Sequence, residues 1–357
     1  TGEGRDIGTI AIPNAFVQTD LAINGKPIYV LMAIRGKLVD MLVNIAADVY
    51  GAYLAKDKNG KERPAPKLVD SNKQPITDLV GNGSKVKIQY HEWETSNQFG
   101  DFKGLDFQAT KLDIENSIMT ITLNRPEKKN ALNNVMMNEL NYALAYAKQE
   151  HSIRVVVIAA EGDIFCAGAD LTRAKSESNV PKLEGKDDIS LSLRHLYKPV
   201  ICKIQGSVLA GALLIVTNAT HAIAVKDAKF SAPEIHRGLW PFMVMAGLFR
   251  VMPKRAGLDF IMRGQPIDAS KAKSWGLINK SVDVKDIDRT VNTLAEELAS
   301  LAPETMRFGL EAYEKQDSKS FNEALPYLQE QIAKCFEGRD AKEGIAAFLE
   351  KRKPNWD

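Results

Sequence analysis

The sequence predicts an α/β protein with a parallel sheet, a helical C-terminal region and an N-terminal extension. Three observations lead to this class. From Leu112 onward, short apolar runs alternate with helical patterns, which is typical of a parallel α/β core. One of these runs, RVVVIAA over 154–160, is apolar along almost its whole length, as in a strand buried on both faces. Before Leu112 the apolar runs are separated by polar, turn-rich pieces such as KDKNGKERPAPK.

The elements of the core follow from the same patterns in chain order. Asn133 is predicted to cap a helix that runs to about Gln149, because an asparagine side chain accepts a hydrogen bond from the first helical turn. Further helices are expected around 191–196, from Gly211, and almost throughout 286–353. The predicted strands of the core are IMTITLN, RVVVIAA, PVICKI and HAIAV; in the extension, KVKIQYHEWE alternates as a half-buried strand does.

The composition sets limits on the class of protein. A length of 357 residues favours two units, or one domain with an extension. The chain is 45% hydrophobic and 26% charged, and its net charge of +2 gives no argument for a nucleic-acid or membrane partner. Three cysteines cannot all pair, and we find neither a secretory leader pattern nor a membrane-spanning run. We therefore expect a reduced, intracellular protein, in the cytoplasm or an organelle matrix.

Several familiar catalytic signatures are absent from the sequence. There is no G-x-x-x-x-G-K-[ST] phosphate loop and no G-x-S-x-G nucleophile elbow. The cysteines and histidines lack metal-ligand spacing. GNGSKV lacks the third glycine of a dinucleotide fingerprint. These absences exclude the nucleotide, hydrolase and zinc sites that such motifs mark.

Five motifs in the second part of the chain remain: RPEKKNALN, FCAGADL, QGSVLAGALLIV, FSAPEIHRGLWP and GIAAFLEKRKPNW. In their order and spacing they resemble the enoyl-CoA hydratase/isomerase family, the crotonases, over about residues 112–357. The resemblance implies a crotonase spiral of β-β-α units over 112–285. It also implies that the helices of 286–357 form trimers, so the expected partner is a second and third copy, as a homotrimer or a dimer of trimers.

The resemblance implies an oxyanion hole made by two backbone N–H groups, those of Ala169 and Gly211. Fixed N–H donors stabilise a thioester oxygen most when it gains negative charge in an enolate. A glycine at position 211 would let that oxygen reach the amide at the start of a helix, where N–H groups have no intrahelical acceptor. Close packing of the helix is the alternative reason for a small residue there.

One glutamate of the family's catalytic pair is kept and the other is missing. Hydratases of the family handle water with two glutamates; the second corresponds to Glu234, whereas Leu214 stands at the first. A leucine cannot orient or deprotonate water, while one carboxylate suffices to move a proton between two carbons. We therefore expect double-bond isomerisation by Glu234. Hydration with a substitute acid, decarboxylation and non-catalytic acyl-CoA binding stay open.

The resemblance also implies which residues bind the acyl-CoA. No metal or redox cofactor is implied, since CoA arrives on the substrate. Lys128 would face the CoA phosphates, although a solvated loop lysine is the alternative, and Phe348 and Lys351 would reach a neighbouring subunit's site. The remaining predicted positions are Ala131, Ala167, Asp170 and Leu171 in the CoA channel and Val208, Leu214 and Pro233 in the substrate pocket.

The N-terminal extension has two further resemblances. Residues 1–68 resemble a fragment of a copia-type reverse transcriptase palm, but Ala11 stands where that family has a metal-binding aspartate, so we expect no polymerase chemistry. Residues 69–111 resemble part of a phage single-stranded-DNA-binding OB-fold protein. Their aromatic and lysine residues suit base stacking beside phosphates. We favour the alternative that these aromatics form the small core of a three-strand sheet, within an extension that is α+β or β-rich, and we do not expect a nucleic-acid partner.

Overall fold

The computed structural model describes residues 21–23, 26–28, 104–172, 178–183 and 188–356. The chain divides into two units, Thr1–Ser96 and Asn97–Asp357. The first unit contributes one described antiparallel pair, β1 (Leu21–Ile23) and β2 (Lys26–Ile28). The strand predicted at 85–94, and most of the two segments with the N-terminal resemblances, lie outside the described residues.

Six strands form the larger sheet of the second unit, in the order β12-β9-β7-β5-β4-β3. All neighbours are parallel except β3 and β4, which form an antiparallel pair. The boundary predicted between residues 111 and 112 falls within β3, whose Thr110 and Lys111 pair with β4. The strands are β3 (Thr110–Glu115), β4 (Ile118–Leu123), β5 (Val155–Ala160), β7 (Val200–Ile204), β9 (His221–Val225) and β12 (Lys280–Val282).

A smaller sheet contains the strands that come directly after three of these strands in the chain. Its order is β11-β10-β8-β6, with β6, β8 and β10 parallel. Strands β5, β7 and β9 are each followed within two or three residues by β6, β8 and β10 respectively. The chain therefore repeats a unit of two strands and a helical segment, as predicted. The strands are β6 (Ile164–Cys166), β8 (Ser207–Leu209), β10 (Lys229–Ser231) and β11 (Ile267–Asp268).

Burial explains the strand pattern of the larger sheet. The first five residues of β5 are buried, because β5 lies between β4 and β7 and α7 (Ile287–Ala299) packs on the sheet. The outer strand β3 alternates buried or half-buried with exposed residues. A continuous apolar strand in the centre and an alternating strand at the edge are what the two positions require.

The helices before α7 connect and cover the sheets. The first begins after Asn133, whose side chain accepts a hydrogen bond from the Met136 N–H at 2.9 Å, as predicted. Gly211 departs from the prediction, since it is the second residue of a 3₁₀ helix, Ala210–Ala212, and the α-helix starts two residues later. The helices are α1 (Asn134–Gln149), α2 (Ile189–Arg194), α3 (Leu213–Val216), α4 (Phe242–Val251), α5 (Lys254–Arg263) and α6 (Ala269–Ser274).

Three more helices complete the C-terminal region and pack on one another: α8 (Pro303–Gln316), α9 (Phe321–Glu337) and α10 (Arg339–Glu350). Ser320 and Glu323 cap α9 reciprocally. The helical region predicted from 286 to 353 is thus confirmed. Across the described part of the chain, no helix combines the length and apolar character needed to cross a membrane.

A buried carboxylate joins α1 to the first strand of the core. Glu139 is fully buried and accepts hydrogen bonds from the Gln108 N–H at 2.8 Å, the Ala109 N–H at 3.0 Å and the Thr110 hydroxyl at 2.9 Å. Truncating this side chain leaves the two buried donors, on Ala109 and Thr110, without their acceptor. Unsatisfied buried groups and lost charged hydrogen bonds are costly.

We expect Glu139→Ala to lower the free energy of unfolding by about 3 kcal/mol or more. Urea denaturation of the full chain measures this change. Glu161→Ala is the matched control: its carboxylate pairs with Lys111 on the surface, so a loss within about 1 kcal/mol is expected. Equal losses for the two variants would contradict a special role for Glu139.

Candidate active site

Three parallel strands end at one edge of the smaller sheet and lead to the three predicted catalytic positions. Ala169 follows β6 by three residues, Gly211 follows β8 by two and Glu234 follows β10 by three. Strand β8 pairs with β6 on one side and with β10 on the other. Because the carboxyl ends of parallel strands share an edge, the three residues emerge on the same side of the sheet, where ligands bind in open parallel sheets.

The Ala169 N–H is directed away from the chain segment beside it. The Leu132 N–H donates to the Gly168 carbonyl at 2.8 Å, and the Asp170 N–H donates to the Leu132 carbonyl at 2.9 Å. In such a parallel bridge both bonds go to the neighbours of Ala169, so the N–H and carbonyl of Ala169 itself point to the opposite side. This side faces Gly211.

Gly211 lies beside the Ala169 nitrogen. As the second residue of a 3₁₀ helix, Gly211 precedes the first N–H that can donate within the helix. A Cβ atom added to Gly211 would lie 3.4 Å from the Ala169 nitrogen, which is ordinary contact rather than a clash. The glycine is therefore not needed to relieve helix packing. A methyl group at this position would lie against the Ala169 N–H, where the predicted oxyanion hole needs room for an oxygen.

The backbone around this gap is held in uncommon conformations. Gly168 has φ +88°, and a Cβ there would lie 2.8 Å from the Gly211 nitrogen and from the Ala210 Cβ. Ala210 has φ +52°, in the left-handed region that costs a non-glycine residue about 1–2 kcal/mol. Strain of this kind persists where surrounding contacts fix it, and it is concentrated at functional sites.

Two residues without a role predicted from the sequence hold the loops of this site. The Arg125 guanidinium donates to the Ala131 carbonyl at 2.6 Å and to the Asp170 carboxylate at 3.1 Å. Asn130 is fully buried and donates to the carbonyls of Glu161 and Ile164 at 2.8 and 2.9 Å. Both lie in the RPEKKNALN motif, which is the sequence feature that could have pointed to them. Arg125 thus ties this loop to the loop that carries Ala169.

The Asp170 carboxylate accepts hydrogen bonds from neighbouring groups of the protein. It accepts from the Thr172 hydroxyl at 2.7 Å, the Thr172 N–H at 3.1 Å and Arg125. These hydrogen bonds, with those from Thr172 the largest, lower the pKa of Asp170 to about 2. The carboxylate therefore stays ionised at neutral pH and holds the loop in place.

The other predicted CoA-binding positions flank these loops or lie in the C-terminal helices. Lys128 ends an exposed 3₁₀ turn, Pro126–Lys128, and Leu171 is 70% exposed beyond Asp170. The half-buried Ala167 donates its N–H to the Lys129 carbonyl at 3.0 Å, which brings the two motifs together. Phe348 is 81% exposed on α10, and Lys351 follows that helix; their predicted approach to another subunit stays a prediction.

Glu234 lies on a 3₁₀ turn, Pro233–Arg237, directly beyond β10. The residue is half-buried, and its Oε2 atom is buried with no hydrogen-bond partner among the described residues. Burial raises the pKa of this carboxyl above its usual 4.5, against a smaller lowering effect from its own backbone and Arg237. A raised pKa and an unpaired oxygen suit a group that takes and returns a proton.

The predicted pocket positions differ in exposure. Pro233 and Leu214 are half-buried, and Leu214 lies within α3, three residues after Gly211. Val208 is fully buried in strand β8, where it pairs with Phe230 of β10. Within the described ranges, no group of three or more His, Cys, Asp or Glu residues is placed to hold a metal ion.

The family described as enoyl-CoA hydratase/isomerase matches residues 113–357. The chain belongs to this family. It is 31% identical over 253 residues to mevalonyl-coenzyme A hydratase of Aspergillus fumigatus, covering 67% of this chain and 91% of that protein. It is 29% identical over 250 residues to short-chain-enoyl-CoA hydratase of Clostridium acetobutylicum, covering 68% and 95%.

Solved structures agree with the crotonase fold. Human enoyl-CoA hydratase domain-containing protein 3 has a TM-score of 0.64 at 27% identity, over 70% of this chain and all of that one. Enoyl-CoA hydratase of Mycobacterium smegmatis has the same TM-score and identity, over 70% and 99%. The predicted family and fold are therefore confirmed. The family match begins at residue 113, so the two N-terminal resemblances gain no support from it.

We expect Gly211→Ala to lower kcat for an enoyl-CoA about 100-fold or more, because the new methyl group would occupy the space beside the Ala169 N–H. Steady-state kinetics and a thermal melt of the same preparation measure the two effects. The matched control is Gly309→Ala on α8, where an added Cβ meets nothing within 4 Å. Unchanged turnover in folded Gly211→Ala would exclude the oxyanion role.

Proposed function

We propose that the protein is an enoyl-CoA isomerase that moves a carbon–carbon double bond with Glu234 as its single acid–base group. The observation that carries the proposal is the set of groups that follow the carboxyl ends of β6, β8 and β10. They are the N–H groups of Ala169 and Gly211 and the carboxylate of Glu234. Leu214 lies where the family resemblance expects the first of a hydratase's two glutamates. Without that group, two-carboxylate handling of water is lost, while proton transfer remains.

The two N–H groups would act on the thioester carbonyl oxygen. When Glu234 removes a proton from C2 of a 3-enoyl-CoA, negative charge moves onto that oxygen and a dienolate forms. Donors fixed in position stabilise this charge more than they stabilise the neutral carbonyl, which lowers the barrier. Glu234 then returns the proton to C4, and the product is a 2-enoyl-CoA. The substrate therefore gains and loses no atom overall.

The surroundings of Glu234 support its role as a proton carrier. Burial raises the pKa of Glu234 above that of an exposed glutamate. Its proton affinity is therefore better matched to proton transfer at neutral pH. Its unpaired Oε2 is not engaged by a competing donor among the described residues. The proposed chemistry requires no resident cofactor, since the CoA arrives on the substrate.

Hydration is the second candidate, and the names of the relatives favour it, since both curated relatives above are called hydratases. Hydration would need an acid in place of the one missing at Leu214. Asp170 is the acid next to Ala169 in the chain, and its carboxylate is held by Arg125 and Thr172. This engagement favours isomerisation over hydration by Asp170.

We propose an intracellular setting, as expected from the cysteines. All three cysteines are free, and burial raises the pKa of Cys166 and Cys202 to about 12, which keeps both thiols protonated. The human relative at 28% identity is named a mitochondrial protein. An organelle matrix therefore stands beside the cytoplasm as a candidate location.

We expect the purified protein to convert 3-enoyl-CoA to 2-enoyl-CoA without forming 3-hydroxyacyl-CoA. Glu234→Gln should lower this turnover at least about 100-fold, because the amide cannot accept the proton. Chromatography of the acyl-CoA products separates the isomers from the hydrated product. Glu127→Gln, on the exposed Pro126–Lys128 turn, is the matched control and should keep full turnover.

Two further measurements complete this test. In the wild type, kcat/KM should fall on the acid side as Glu234 protonates, with a midpoint above the usual glutamate value of 4.5 because burial raises its pKa. Since a raised carboxyl pKa opposes folding above that pKa, Glu234→Gln should not be less stable at neutral pH. Hydration that survives Glu234→Gln would overturn the mechanism, and binding without any product would assign a scaffold role.

We also propose that the protein forms a homotrimer, or a dimer of trimers, through its C-terminal helices. Apolar side chains on α9 and α10 are exposed in the single chain: Phe321, Leu325, Leu328, Ile332, Phe336, Ile345, Phe348 and Leu349. Exposed apolar surface of this extent is typical of an interaction site. A neighbouring copy would cover it and would bring Phe348 and Lys351 to an acyl-CoA site.

Light scattering after gel filtration should give three or six times the chain mass of 39.4 kDa. Ile332→Asp should lower the measured mass, because a charge in an apolar interface is costly. Val284→Asp is the control, since Val284 is an exposed apolar residue outside the three terminal helices. A wild-type protein that runs as one chain would contradict the proposal.

A further inference from the structure

A cavity of about 280 Å³ lies at the end of the larger sheet opposite to the candidate active site. We call it the N-edge cavity, because Arg154 and Pro199, which line it, directly precede the parallel strands β5 and β7. The catalytic positions come after the carboxyl ends of these strand pairs. Strand β5 alone spans roughly 17 Å at 3.3 Å per residue, so the cavity is distinct from the site already described.

The lining of the N-edge cavity is strongly cationic. Among the described residues that line it, five are lysines or arginines, one is a histidine, His151, and one, Glu304, is acidic. The five are Lys148, Arg154, Lys198, Arg307 and Arg339. Cations collected around a partly enclosed space attract and hold anions. Guanidinium and ammonium groups together are typical of sites that bind phosphate.

Lys198 shows that part of this charge is removed from solvent. Its ammonium group is buried and donates to the Ala147 carbonyl at 2.5 Å and the Glu150 carbonyl at 2.8 Å, at the end of α1. Burial lowers the pKa of Lys198 to about 8. An ammonium group has three N–H donors, so these two bonds leave one in excess. A bound anion would supply the missing acceptor and favour the charged form.

Two of the other cations are held only loosely by their neighbours. The Arg307 guanidinium lies 3.7 Å from the carboxylate of Glu311, one turn further along the same helix. The Lys148 ammonium lies 5.3 Å from the centre of the Tyr197 ring. Exposed ion pairs and exposed cation–π contacts each contribute about 1 kcal/mol or less, so these groups can turn toward a ligand at small cost.

The N-terminus of α8 also borders the cavity, but it is not the anion-binding group. The N–H groups of Glu304 and Thr305 both donate to the buried Asp340 carboxylate, at 2.8 and 3.0 Å. The start of the helix is therefore already neutralised from within the protein. Recognition of an anion would fall to the side chains of Lys148, Lys198 and Arg307.

Two aromatic rings, Tyr197 and Trp356, complete the wall. The Trp356 carbonyl is fixed by a hydrogen bond from Arg154 at 3.2 Å, which holds the C-terminal tail against the cavity. A volume of about 280 Å³ is near the lower end of small-molecule sites, roughly 300 Å³ upward. The space suits a phosphate joined to one ring system.

We propose that the N-edge cavity binds a small phosphate ester that carries a planar ring, such as a nucleoside monophosphate, through Lys148, Lys198 and Arg307. This binding requires no turnover and does not depend on the isomerase proposal. It also uses no residue of the strand edge that carries Ala169, Gly211 and Glu234.

Calorimetric titration of the full chain with AMP tests the proposal, with adenosine as the matched ligand that lacks the phosphate. We expect one AMP per chain and binding of adenosine at least about tenfold weaker, since the charged contacts are lost. Arg307→Gln should weaken AMP binding about tenfold, and Lys148→Gln provides a second variant on another helix. Arg289→Gln is the matched control, because Arg289 is also an exposed helical arginine with an acidic neighbour, Asp286, at 2.8 Å.

Lys128→Gln separates this cavity from the predicted CoA site. AMP binding that is weakened by Arg307→Gln and Lys148→Gln but not by Lys128→Gln supports the proposal. AMP binding that responds to Lys128→Gln alone would place the ligand at the CoA site and overturn it. Equal binding of adenosine and AMP, equal losses in Arg307→Gln and Arg289→Gln, or no binding of AMP would overturn it as well.

Discussion

The parallel pairing of β6, β8 and β10 is the constraint on which the candidate site depends. These strands have only three residues each, yet their register places the segments that carry Ala169, Gly211 and Glu234 side by side. Because side chains alternate along a strand, a slip of one residue would reverse their directions and misplace the segment that comes next. The larger sheet limits such slips, since each short strand follows closely on a strand paired within it. The pairing of β6 with β8 has one irregularity, between Ile164 and Cys166.

The precise placement of the donors depends on loop contacts rather than on the strands alone. Gly168 and Ala210 both adopt positive φ angles, and such conformations persist only where neighbouring contacts hold them. Arg125 supplies one of these contacts by joining the Ala131 carbonyl to the Asp170 carboxylate. The buried Asn130 supplies another by bonding to two carbonyls beyond its own loop. The loops that carry Ala169 and Gly211 are thus held by contacts within the protein, as the predicted electrostatic role requires.

Local patterns in the sequence were sufficient for most of the core, but not for contacts between distant segments. Apolar runs predicted β4, β5, β7 and β9; nearly every residue of β5, β7 and β9 is buried, and burial on both faces leaves a visible signature. Arg125 and Asp170 are 45 residues apart, and nothing local marks them as partners. Asn130 lies in a basic, polar run that predicts an exposed loop, although the structure buries it completely. The motif resemblance supplied the predicted catalytic positions, whereas the 3₁₀ start at Gly211 depends on the conformation of Ala210.

The leucine at position 214 and the burial of Glu234 fit one kind of chemistry. In a site with two carboxylates, each ionised group raises the pKa of the other, so the pair titrates as a unit. A single carboxylate has no such neighbour, and here the largest cause of its raised pKa is burial. An apolar side chain in place of an acid adds no charge and no group that could hold water. The proposed isomerisation, which moves one proton between two carbons, requires no group beyond Glu234 and the N–H donors of Ala169 and Gly211.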